Sequence, residues 1–224
     1  MNPLTSLIAA SIAFVGSHFA MSHPLRSALV ERLGRFGFMA LYTLVSFLTL
    51  GWMVAAFVAA PAGDLPSTGL AGWIVATLLT LPAAILLGGS FAGNPAFPQP
   101  GADRLATGKT PRGVFRVTRH PMMWGVALWA VAHIVLWWDW RSVIFAAALL
   151  ILALVGSHLQ DCKKRALMGD AWAKWEARTS YWPRWGALFR VGIVWWLVGL
   201  VLWLAFTYAH IHAGGIPAGI WRWV

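Results

Sequence analysis

Six long apolar runs alternate with short polar segments along the chain, at about residues 4–21, 38–60, 69–91, 122–138, 142–160 and 191–209. Most reach the roughly 17–25 residues that a helix needs to cross the hydrocarbon core. No water reaches that core to satisfy backbone polar groups, so each spanning run must be a helix that satisfies them internally. The pattern predicts an all-α polytopic membrane protein with about six transmembrane helices, built as one integral membrane domain over 1–224. The first run has no basic stretch ahead of Leu4 and is long enough to span, so it is expected to remain as a helix rather than act as a leader.

Composition supports the lipid-facing reading. Of the 224 residues, 59% are hydrophobic and 11% charged, whereas a soluble domain carries roughly 25% charged residues. The net charge of +10 would suit a nucleic-acid binder if the charges formed one patch. They do not. Of the seventeen basic residues, only Arg141 and Arg222 fall outside alternate polar segments; the rest lie at 26–35, 104–119 and 163–190. That alternation is the positive-inside signature and predicts both termini on the outer side. Membrane lipid is therefore the expected partner, nucleic acid is not, and the expected location is a bacterial inner membrane. The single cysteine, Cys162, excludes an internal disulfide and a multi-cysteine metal site.

Between the runs, Pro24 is expected to end the first helix near Ser22-His23. Residues 61–69 read as a turn. The stretch from Gly93 to Thr118, with Pro95, Pro98, Pro100 and Pro111, reads as a long irregular loop of the kind that covers a site. Met168 to Trp185 places Trp172, Trp175, Trp182 and Trp185 among basic residues, and predicts a short interfacial helix anchored in the headgroup zone.

Candidate chemistry narrows to histidine. Only seven acids occur and none lies deep in an apolar run, so the paired carboxylates of acid–base hydrolysis are not expected. No phosphate loop, zincin helix or nucleophile elbow is present. His23, at a helix end, and His210 and His212, at the outer end of the last run, read as solvated. His18, His120 and His158 lie near the inner boundary. His133 lies about 16 Å past Met122 on the helical rise, with no side-chain partner nearby in sequence. An ionisable group there is a functional candidate by default. A hydrogen bond to backbone or ligation of a metal or haem would each relieve its burial. Gly16, Ser17 and Ala20 around His18 allow close approach of a helix or a flat ring, and His120 or His158 matches His18 in depth better than His133 does.

The segments "SHFAMSHPLR" (17–26), "TRHPMMWGVALWAVAH" (118–133), "QDCKKRALMGDAW" (160–172) and "RTSYWP" (178–183) together resemble the NnrU family, over nearly the whole chain. That family is associated with denitrification and is homologous to 15-cis-ζ-carotene isomerase of carotenoid biosynthesis. The resemblance implies a haem b cofactor with two axial histidines, which fall on His18 and His133. Arg119 and Arg26 are then expected to pair with the propionates, and His120 to stand at the mouth of the site. The isomerase's cysteine three residues before its second ligand is Ala130 here, so a cysteine-based ligand switch is not expected.

The resemblance makes the leading expectation a haem-dependent cis–trans isomerase acting on an apolar polyene. A non-enzymatic haem-binding factor related to nitric oxide is the first alternative. The second is a membrane methyltransferase using S-adenosylmethionine, because Arg119-His120-Pro121 also resembles the arginine–histidine motif of isoprenylcysteine carboxyl methyltransferases. In that family an acidic pair follows; Gln160-Asp161 stands in its place.

Overall fold

The computed structural model describes residues 2–63, 65 and 68–224, and it is helical with no strand among them. Among the described residues, the eight α-helices are α1 (Pro3–Ser22), α2 (Arg26–Ala59), α3 (Gly69–Gly89), α4 (Ala102–Gly108), α5 (Pro121–Leu136), α6 (Trp140–Met168), α7 (Asp170–Arg178) and α8 (Ile193–Gly214). Five of them, α1, α2, α3, α6 and α8, are long and apolar enough to cross a membrane, and α5 is a shorter apolar helix among them. The expected polytopic all-α architecture is what the chain adopts. The turn expected over 61–69 includes Asp64, Pro66 and Ser67, which lie outside the described residues.

Local chemistry sets the helix ends. Asn2 caps α1 by accepting a hydrogen bond from the Leu4 amide at 3.0 Å. α2 takes in the basic residues expected to link two spans, and its 34 residues exceed a bilayer's thickness. The excess is turned aside at Gly34, whose φ of 69° and ψ of 172° suit a residue without a Cβ. α5 starts at Pro121, where a missing N–H costs nothing. It stops at Leu136 because Asp139 begins the next helix, accepting from the Ser142 amide and hydroxyl, both at 2.9 Å.

The helices pack as two groups joined by the α5–α6 contact: α1 lies against α2 and α6, and α3 lies against α5 and α8. Small residues bring the second group close. A methyl added at Gly125 would sit 2.9 Å from the Ala83 carbonyl oxygen, and one at Gly199 would sit 2.7 Å from the Ile85 Cα. Dispersion between close backbones drives such association where no hydrophobic effect operates. Gly199→Ala is expected to push α8 off α3 at a cost of about 1–3 kcal/mol, read as a lowered unfolding temperature of the purified protein in detergent. Gly16→Ala, which meets open space, should leave that temperature near the wild-type value.

Contacts gather the basic segments at one end of the bundle, hereafter the inner end. Arg116 Nη1 donates to the Arg190 carbonyl at 3.0 Å, Lys164 Nζ to the Pro95 carbonyl at 3.1 Å, and Arg178 to the Ala106 carbonyl. The two exceptions sit at the opposite end: Arg141 donates to the Ala60 carbonyl at 3.1 Å, and Arg222 lies over the Trp73 ring at 4.8 Å.

Two expectations for the inner end are corrected. The stretch 93–118 is not a structureless loop: it holds α4 and a 3-10 turn over Gly113–Arg116. Trp172 and Trp175 do not anchor α7 in lipid. Both are fully buried, in a core with Val114, Phe115, Val117, Leu188 and Val191 that seals the inner end. The tryptophan-rich face does seek an apolar surface, and protein supplies it: Phe115 meets Trp175 edge-on at 5.7 Å. Lys109 helps close this cap, donating to the Ala92 carbonyl and, at 2.6 Å, to the Gly93 carbonyl, with its ammonium 4.4 Å from the Phe115 ring centre. Burial pushes the Lys109 pKa below the usual lysine range.

Candidate functional site

Two places in the bundle concentrate the residues singled out by the sequence. The first lies at the inner end, around Asp161 near the end of α6. The carboxylate is 1% exposed, a position that demands full pairing. Arg119 Nε donates to its two oxygens at 3.1 and 3.0 Å, and Nη2 to Oδ2 at 2.5 Å. His120 Nε2 donates to Oδ1 at 2.7 Å. Glu176 of α7 lies 3.2 Å from Arg119 Nη2 and also receives Arg165 in a two-pronged pair at 2.8 and 2.7 Å. Arg165 and Glu176 thereby fasten α7 to α6.

The segment after α7 closes the same cluster. The Arg119 amide donates to the Ser180 carbonyl at 2.8 Å. Thr118 Oγ1 and Trp124 Nε1 both donate to the Tyr181 carbonyl, at 2.8 and 3.0 Å. The Tyr181 hydroxyl donates to the Leu154 carbonyl at 2.8 Å and lies 2.9 Å from Ser157 Oγ. His23 adds the first helix, its Nε2 standing 3.0 Å from the Leu159 carbonyl oxygen. The four sequence segments thus meet around residues 157–161 of α6. Chemically this is a clamp: the acids and bases engage one another, and His120 Nδ1 is buried with no hydrogen-bond partner among the described residues. A cavity of about 480 Å³ opens beside it, bounded by Arg119, His158, Asp161, Arg165, Tyr181 and Trp182.

The second place is an apolar cavity of about 600 Å³ between α3, α5 and α8. Its α3 wall runs from Trp73 to Leu87, about 21 Å at 1.5 Å per residue. Trp129, Trp137 and Trp203 contribute ring surfaces, and His133 and His210 are its imidazoles. Trp203 Nε1 donates to Thr80 Oγ1 at 2.9 Å, which ties α8 to α3 across the wall. His133 lies in the last turn of α5, toward the outer end. The sequence-based depth holds along the helix, but α5 is short, so His133 sits near its outer terminus. His133 Nδ1 donates to the Trp129 carbonyl at 2.8 Å, and His210 Nδ1 to the Phe206 carbonyl at 2.7 Å. The two ring centres are 6.2 Å apart.

His18 belongs elsewhere. Its Nδ1 donates to the Phe14 carbonyl at 2.7 Å, its Nε2 lies 3.2 Å from Ser46 Oγ, and Phe14 and Tyr42 flank its ring. Both nitrogens therefore have partners in the α1–α2 group, while His133 faces the α3–α5–α8 group. Arg26 lies over the Phe38 ring at 5.6 Å, and Arg119 is held by Asp161 and Glu176; neither borders the cavity at His133. His120 borders neither cavity. His158 borders the inner one and is exposed, 3.9 Å from Cys162 Sγ.

The sequence gives Asp161 only as the stand-in for an acidic pair, and His210 only as a solvated histidine at the end of the last run. Asp161 directly follows an apolar run and sits level with Arg119 at the inner boundary, and that shared level was the available signal. His210 carried no local signal, because its relation to His133 is made only when α8 packs near α5.

No curated protein and no solved structure matches the chain. The family model described as "NnrU protein" matches residues 6–218. That match takes in all four segments that converge on α6 and both histidines of the apolar cavity, and the chain belongs to the NnrU family.

Proposed function

We propose that the protein is a haem b-containing membrane enzyme that isomerises a cis double bond of an apolar polyene, with the cavity at His133 as its site. The observation that carries this reading is the cavity itself: about 600 Å³, walled by tryptophan and aliphatic surface, with an imidazole whose Nδ1 is tied to backbone. Such a hydrogen bond fixes the tautomer that leaves the lone pair on Nε2, the nitrogen that ligates. Haem b is a flat, largely apolar group, and the residues present fit it. His133 is the iron ligand in this reading.

A ferrous haem held by His133 would supply an iron centre able to meet a conjugated double bond and lower its barrier to rotation. The chain's own residues do the rest. The wall from Trp73 to Leu87 holds an extended apolar chain, and Trp129 stacks at 4.0 Å on the His133 ring and fixes its orientation. The apolar walls keep water from the reacting bond.

Reduced, haem-loaded protein in lipid should convert a 9,15,9′-tri-cis polyene to the 9,9′-di-cis form, and His133→Ala should abolish the conversion. Full haem loading with no turnover, together with reversible nitric oxide binding by the ferrous form, would instead assign the protein a non-enzymatic role.

A further inference from the structure

We infer that Arg26, Lys163 and Lys164 form a binding site at the inner end for the phosphate of an anionic phospholipid, assembled by the bend of α2 at Gly34. The site lies at the opposite end of the bundle from His133 and does not depend on the haem reading.

These three cations differ from their neighbours. The other basic side chains at the inner end are exposed or held by a protein acceptor, as Arg119 is by Asp161. Arg26 and Lys163 are half-buried, and neither side chain has a hydrogen bond or an ion pair among the described residues. Lys164 is buried and gives one N–H to the Pro95 carbonyl at 3.1 Å, which leaves two more to give. The charge of Arg26 acts on both lysines, and that of Lys164 on Lys163. Drawing like charges together out of water without a carboxylate is costly, and an anion from outside the chain removes the cost.

The fold brings them together on purpose-built geometry. His23 docks the turn between α1 and α2 on α6, its Nε2 3.0 Å from the Leu159 carbonyl oxygen, one helical turn before Lys163. Arg26 and Phe38 are twelve residues apart, about 18 Å on a straight helix, which is more than the two side chains span. Yet the guanidinium carbon lies 5.6 Å from the Phe38 ring centre. The left-handed backbone at Gly34 folds the start of α2 back and makes that contact.

The surroundings identify the anion as a lipid. Both lysines sit in the last turns of a spanning helix, at the level of the phospholipid headgroups. Leu25, Leu33 and Phe36, close to Arg26 in sequence, are exposed and offer acyl chains an apolar surface. A phosphodiester has two free oxygens, which suit a guanidinium and an ammonium in charge-assisted hydrogen bonds. Anionic lipids of the cytoplasmic leaflet carry that group to basic residues at a helix end.

The test uses the purified full chain in detergent, titrated separately with phosphatidylglycerol, phosphatidylcholine and inorganic phosphate, and read by native mass spectrometry and thermal unfolding. Phosphatidylglycerol should bind and raise the unfolding temperature; the other two should not. Lys163→Gln and Arg26→Gln should each weaken phosphatidylglycerol binding roughly tenfold. Without that lipid, Lys163→Gln should unfold at or above the wild-type temperature, because a repelled charge is gone; a lysine with only a structural role would lower it. Gly34→Ala keeps every charge but strains the bend, and should also weaken binding. Lys174→Gln, at an exposed cation of α7, should bind as wild type does. Equal losses in Lys174→Gln and Lys163→Gln would reduce the site to general surface charge and overturn the inference. A wild type that responds to inorganic phosphate or phosphatidylcholine as it does to phosphatidylglycerol would overturn it too.

Discussion

Asp161→Asn should cost about 3–5 kcal/mol of folding stability, the loss seen when one member of a buried ion pair is removed and its partner is left uncompensated. The wild-type carboxylate receives Arg119 and His120 together, at 1% exposure. An amide supplies one acceptor oxygen and turns an N–H₂ toward the guanidinium or the imidazole, so a donor is left facing a donor. The damage should spread beyond α6, because Arg119 also fixes the backbone of residue 180 and the position of Glu176. Limited proteolysis of the purified protein should therefore cut within 93–118 and 178–190 earlier in the variant than in the wild type. Arg165→Gln is the control. Its side chain is half exposed to solvent, and pairs of that kind contribute about 1 kcal/mol or less. Equal stability of Asp161→Asn and wild type would show that the clamp does not hold the inner end together.

Trp175→Ala should be comparably severe, at about 3–5 kcal/mol for an emptied aromatic site in a packed core. Trp175 is fully buried, meets Phe115 edge-on, and has the Arg178 guanidinium 6.0 Å from its ring centre. The same substitution at Trp182, which is 68% exposed, should shift stability by no more than about 0.5 kcal/mol. Thermal unfolding in detergent distinguishes the two roles that a tryptophan on a basic helix can have. An interfacial anchor would leave the unfolding temperature near wild type in both variants and change lipid affinity instead. A core residue lowers the unfolding temperature in Trp175→Ala alone.

These contrasts mark what the sequence makes legible. Hydrophobic runs report the spanning helices and, through the placement of basic residues, which ends lie together, because both follow from the bilayer's own physics. The same signals are blind to what covers an amphipathic face. α7 presents an aromatic face, and nothing within its nine residues distinguishes lipid from Phe115 and Val114 as its neighbours. The cap made by 93–118 depends on contacts with residues 160–190 that no local pattern encodes. Histidines behave likewise. His133 is conspicuous as a polar residue in an apolar run. The difference between His18, satisfied by Ser46, and His210, brought toward His133, is set by packing between helices distant in sequence.

The proposed haem site lies at His133, in the cavity between α3, α5 and α8. Its most direct test is the absorption spectrum, oxidised and then dithionite-reduced, of wild type and His133→Ala purified from haem-replete cells at matched protein yield. A Soret band near one haem per chain is expected in wild type, shifting on reduction and collapsing in a folded His133→Ala. A wild type without a Soret band, or a His133→Ala with an undiminished and unshifted one, would contradict it.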